Sequence, residues 1–119
     1  MKKIVVISDK KYAIIKSKKV LEGAFANIID NKEITSIILQ DEANLRDVIK
    51  IQKNYRLITF DMILPFNLVG FIAQISNELA KEKIPLFVIS AYSTDHILIQ
   101  DRYIEKAKNK LKKLGFELK

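Results

Sequence analysis

Short apolar and β-branched runs alternate with polar turn formers along most of the chain, a period-two pattern that predicts strands. They fall at residues 3–8, 12–16, 24–29, 34–40, 55–63, 86–91 and 94–100. Asp30-Asn31-Lys32 and Tyr92-Ser93 read as hairpin turns. Three segments carry helical spacing instead, at 42–52, 68–82 and 102–114. In the second, Leu68, Ile72, Ile75 and Leu79 recur on one face, Asn67 is placed to cap the start, and Pro85 leads into the next strand. In the third, Ile104, Ala107, Leu111 and Leu114 form the apolar stripe. Between the opening strands only a short turn near residues 19–22 is expected.

Two stretches match across the chain. "SIILQDEANLRDVIKI" from Ser36 aligns with "HILIQDRYIEKAKNKL" from His96, pairing Ile37 with Ile97, Gln40 with Gln100 and Asp41 with Asp101. Each reads as a strand running into an Asp-capped helix, which suggests an internal duplication. The later half then has the order strand, helix, strand, strand, helix and a final strand at 116–118, the split β-α-β arrangement of ferredoxin-like domains. The expected fold class is α+β, with antiparallel sheets and helices on one face. Residues 1–56 form a reduced first unit and 57–119 a complete second one. Units this small bury too little surface to stand alone comfortably, so they should share one globule.

Composition narrows the chemistry. With 119 residues, no cysteine and one histidine, His96, the chain has no disulfide scaffold, thiol nucleophile, thiolate metal site or multi-histidine centre. The opening "MKKIVVISDKK" is too short in apolar residues for a signal peptide or a membrane span, which suggests a cytoplasmic protein. A net charge of +7 invites a nucleic-acid reading. The densest lysines, Lys106, Lys108, Lys110, Lys112 and Lys113, nevertheless interleave with the third helix's apolar stripe, as on a solvated outer face. The predicted strands also lack the exposed aromatics that stack on bases.

Two segments are candidates for a site. In "DMILPFNLVGFIAQIS", Pro65, Asn67 and Gly70 shape a strand-to-helix connection whose first-turn N–H groups would suit a carboxylate or phosphate. A well-made turn with no ligand explains the same residues, and no phosphate-loop pattern is present. In "ISAYSTDHILIQD", Ser93, Thr94 and Asp95 are ordinary hairpin-tip residues, whereas an aromatic such as Tyr92 at a tip calls for a packing partner or ligand. His96 reads as a surface or interface residue, since no base or nucleophile is recognisable beside it. Asp61 and Asp95 could form an acid–base pair only if brought close.

The run from Leu64 to Ile99 resembles small ACT-domain proteins built as two tandem ACT-like units, and more distantly aspartate kinase ACT domains and cytosolic arginine sensors. Its marks are Pro-Phe-x-Leu-x-Gly before the helix, the strand "IPLFVIS", and the hairpin carrying Ser90, Tyr92, Thr94, Asp95, Ile97 and Leu98. The resemblance implies a non-enzymatic regulatory module that binds an amino acid and uses no cofactor or metal. The ligand carboxylate would meet N–H groups at Leu68, Val69 and Gly70, beyond Asn67. Its ammonium would be held by that loop and by Ser90, Ala91 and Tyr92, with Thr94 and Asp95 alongside. Edge strands and the apolar faces of such short units favour a homodimer, and an effector protein on another chain would carry the output, with no membrane association. The alternative is a basic ferredoxin-like domain that binds nucleic acid or only a protein partner.

Overall fold

The computed structural model describes residues 3–62 and 70–119. Two compact units emerge: unit 1 is Met1–Asp9 with Arg56–Lys119, and unit 2 is Lys10–Tyr55. The first strand, β1 (Ile4–Ser17), supplies its opening residues to unit 1 and the rest to unit 2. The sequence suggests two strands here, broken by the polar run Ser8-Asp9-Lys10-Lys11. A strand accepts such residues on its exposed positions, and one continuous strand forms.

Unit 2 continues with β2 (Ala26–Asp30) and β3 (Glu33–Leu39), then β4 (Val48–Phe60), whose later residues return to unit 1. Asn31, at φ 60°, makes the β2–β3 turn. The strand order is β2-β3-β1-β4. β1 and β3 are antiparallel, with Ala13 opposite Ile38 and Ile15 opposite Ser36. Ala13, Ile15 and Ile38 form a small core, against which Leu21, Ala24, Ala43, Val48 and Ile51 pack.

The predicted helix at 42–52 does not form. A 3-10 turn covers Gln40–Glu42, a second covers Leu45–Asp47, and β4 begins at Val48. The Asn44 side chain accepts from the Arg46 N–H at 3.0 Å, closing a single turn, and the β-branched Val48, Ile49 and Ile51 then favour a strand. Asp41 and Asp101 both sit inside 3-10 turns rather than capping helices.

Unit 1 adds α1 (Phe71–Lys81), β5 (Phe87–Ser90), β6 (Asp95–Gln100), a 3-10 turn at Asp101–Tyr103, α2 (Ile104–Lys113) and β7 (Glu117–Leu118). Its strand order is β7-β1-β4-β6-β5, with β7 parallel to β1. The opening of β1 therefore lies between two strands that a plain βαββαβ sheet would pair directly. Val5, Ile7, Ile58, Phe60, Ile97 and Ile99 face α1 through Ile75 and Leu79, and α2 through Ile104, Ala107 and Leu111. Phe60 anchors this core, edge-on to Phe71 at 5.2 Å and to Phe116 at 5.6 Å.

The lysine run of α2 is partly tied down. Lys110 lies 3.9 Å from Glu78 and 4.0 Å from Glu82, and Lys106 donates to the Glu82 carbonyl at 3.1 Å. Glu78 also pairs with Lys81 at 2.9 Å, and that hydrogen bond leads the causes that lower its pKa.

Candidate functional site

The candidate site is built at one end of the unit 1 sheet. β5 and β6 pair from Phe87 opposite Leu98 to Ser90 opposite Asp95, and the Ala91 N–H donates to the Thr94 carbonyl at 2.9 Å. Ser90, Ala91, Tyr92, Thr94 and Asp95 thus share one hairpin tip. Tyr92 stands 80% exposed there, an unusual placement for a large aromatic.

β4 reaches the same end. Its Thr59 Oγ1 lies 2.9 Å from His96 Nδ1, which fixes the finish of β4 beside the start of β6. The Asp61 N–H donates to the Ile4 carbonyl at 2.9 Å, so the chain leaves this end still bound to β1. It resumes at Gly70, at φ 86°, immediately before α1. A left-handed residue at a helix start is what a glycine accommodates without strain. The Gly70 carbonyl accepts the Gln74 N–H at 2.9 Å, starting the helical ladder. Asn67, Leu68 and Val69, and with them the predicted Asn67 cap and helix start at 68, lie outside the described residues.

Thr59 and His96 are the pair that sequence reasoning missed. They are 37 positions apart, and period-two alternation places each on the sheet face opposite the helices without linking them. Burial lowers the His96 pKa from its ordinary 6.5, against the opposing pull of Asp95. The shift favours the neutral imidazole beside the Thr59 hydroxyl. Asp61 and Asp95 are joined by no contact that would make them an acid–base pair. Among the described residues, no group of three His, Cys, Asp or Glu side chains could hold a metal.

The missed half of the local architecture is Arg56. It is 15% exposed, donates to the Ser8 carbonyl through Nε at 2.7 Å and to Asp101 at 3.1 Å, and so clasps β4, β1 and the turn before α2.

Among the described residues, unit 1 is a sheet backed by two helices, with the β5–β6 hairpin tip at one end. The ACT domain family matches residues 50–113, and the chain belongs to that family. ACT domains are typically regulatory modules that bind amino acids. Among solved structures, a structural-genomics protein from Agrobacterium tumefaciens is similar at 20% identity, with a TM-score of 0.84, covering 100% of this chain and 93% of that one. A protein of unknown function from Vibrio cholerae, described as a possible transport protein, is also 20% identical, with a TM-score of 0.78 and coverage of 90% and 85%. The ligand-free regulatory subunit of aspartate kinase from Thermus thermophilus is 8% identical, with a TM-score of 0.66 and coverage of 92% and 95%. These likenesses show the fold. No curated protein sequence matches the chain. No helix among the described residues is long and apolar enough to cross a membrane.

Proposed function

We propose that this chain is a non-enzymatic regulatory ACT module that binds an amino acid at the hairpin end of unit 1. The observation that carries the reading is the ACT match across residues 50–113, which includes both the connection into α1 and the hairpin. In this reading the ligand carboxylate is met by backbone N–H groups at Leu68, Val69 and Gly70, next to Asn67, where the helix dipole favours an anion. Ser90, Ala91 and Tyr92 supply carbonyl and ring contacts to the ammonium end, with Thr94 and Asp95 beside it.

Binding acts by population shift. The ligand favours one arrangement of units or subunits, and an effector protein on another chain responds to that arrangement. We place the protein in the cytoplasm as a homodimer, and we read unit 2 as a reduced relative of unit 1. The matching strand-to-3-10 passages, β3 into Gln40–Glu42 and β6 into Asp101–Tyr103, support that relationship.

A thermal-shift screen against the twenty amino acids tests the proposal, because a ligand that binds only the native state adds RT ln(1 + [L]/Kd) to stability. One amino acid should raise Tm, and Asp95→Ala and Gly70→Val should each remove the shift. An unchanged Tm for all twenty would sink the amino-acid reading.

A further inference from the structure

Unit 1 carries a helix in its β4–β5 and β6–β7 connections, whereas unit 2 has a loop between β1 and β2 and two 3-10 turns between β3 and β4. A cavity of about 230 Å³ lies at these two connections. Val20, Leu21 and Glu22 of the loop line it, with Glu42, Asn44 and Asp47 of the turns and Ile38 of β3. The volume falls below the roughly 300–1,000 Å³ of drug-sized sites, which limits an occupant to a small molecule.

The walls are held in place by hydrogen bonds. Asn27 Oδ1 accepts the Leu21 N–H at 3.0 Å, and its Nδ2 donates to the Leu21 carbonyl at 3.1 Å. Ser36, fully buried, donates to the same Asn27 oxygen at 2.6 Å. The Lys18 N–H donates to the Asp47 carbonyl at 3.1 Å, joining the loop to the second turn. A cavity so braced keeps its shape without an occupant, which lowers the ordering cost of binding.

The lining is chemically divided. Val20, Leu21 and Ile38 are apolar, and Val20 is more than half exposed. Glu22, Glu42 and Asp47 carry three negative charges in a chain whose net charge is +7. Among the described residues none of the three makes an ion pair, although Lys18, Lys19 and Arg46 flank them in sequence. They also do not converge on a point that would hold a metal. Spaced carboxylates over an apolar floor fit an extended organic cation better than an inorganic one.

We propose that this cavity binds a small aliphatic cation, an alkylamine or alkylguanidinium, with its chain on Val20, Leu21 and Ile38 and its charged head among Glu22, Glu42 and Asp47. The site is separate from the hairpin of unit 1 and stands or falls independently of it.

The experiment is an amide NMR titration of the full chain with pentylamine and with pentylguanidinium, using 1-pentanol and pentanoate as neutral and anionic comparisons. The cations should give saturable shifts confined to residues 20–22, 38 and 42–47, with neither comparison compound doing so. Glu22→Gln combined with Glu42→Gln should weaken the cations about tenfold, as expected for losing charge-assisted contacts. Equal binding of pentanol, shifts centred elsewhere, or no saturation in the millimolar range would each overturn the proposal. The wild-type ligand series decides the matter even if the double variant fails to fold.

Discussion

Units 1 and 2 use the same kind of strand pairing but protect it differently. In unit 1, α1 and α2 cover the sheet, and one cluster runs from Val5 through Phe60 and Leu79 to Phe116. Among the described residues, the core cluster of unit 2 holds Ala13, Ile15 and Ile38, with Ile37 also buried, and the unit leaves Val20, Phe25, Ile28, Ile29, Leu45 and Ile49 substantially exposed. It compensates with polar bracing through Asn27, Ser36 and Ser17, whose hydroxyl donates to the Lys19 carbonyl at 2.7 Å. One unit is held by apolar burial, and the other leans on directed hydrogen bonds.

That contrast is open to direct test. The largest effect is expected from Phe60→Ala, at about 3–5 kcal/mol, against about 2 kcal/mol for Ile38→Ala beside the cavity. Urea titrations giving equal losses would contradict the difference in packing. Next, Asn27→Ala removes two backbone contacts and strands a buried hydroxyl, for about 2–3 kcal/mol. Hydrogen exchange should accelerate at Leu21 and Ala24 while amides of β6 and α2 keep their protection; a uniform acceleration would show that the bracing is not local to unit 2. Gly70→Ala should cost about 1 kcal/mol from its left-handed backbone alone, measured by thermal melting. No loss would mean that the start of α1 relaxes freely.

The smallest effect is one of pH. Because the folded His96 pKa lies below 6.5, the unfolded chain binds more protons between the two values. This contribution is complete above pH 6.5 and declines as pH falls from there toward the folded pKa. His96→Gln should flatten that slope in melting curves, and an unchanged slope would assign it to other groups.

Much of unit 1 was legible in the sequence, because its apolar positions obey a single period in each element. The stripe Ile104, Ala107, Leu111 predicts α2, and alternation about Ile97 and Ile99 predicts β6. Unit 2 was less so. Leu45, Val48, Ile49 and Ile51 satisfy a helical template nearly as well as a strand, and only the Asn44 turn and β-branching decide the outcome. Asn27 looks like any polar strand residue, and its hold on Leu21 exists only once the loop has folded back. At the candidate site, the hairpin could be read from its turn residues, whereas Thr59 and His96 meet only through tertiary pairing.

The placement of β1 also bears on how the protein is made. The Glu117 N–H donates to the Lys3 carbonyl at 2.8 Å, Lys119 N–H to the Val5 carbonyl at 2.8 Å, and Ile7 N–H to the Lys119 carbonyl at 2.9 Å. A ribosome releases Ile4–Asp9 long before the residues that flank it on that side exist. Unit 2, continuous from Lys10 to Tyr55, has all its own partners once Tyr55 has emerged. Unit 1 must wait for residues 117–119, so its closure is the high-contact-order, slow step. Until then one edge of β1 stays open to other chains, and a nascent chain stalled before residue 117 would carry that edge unpaired.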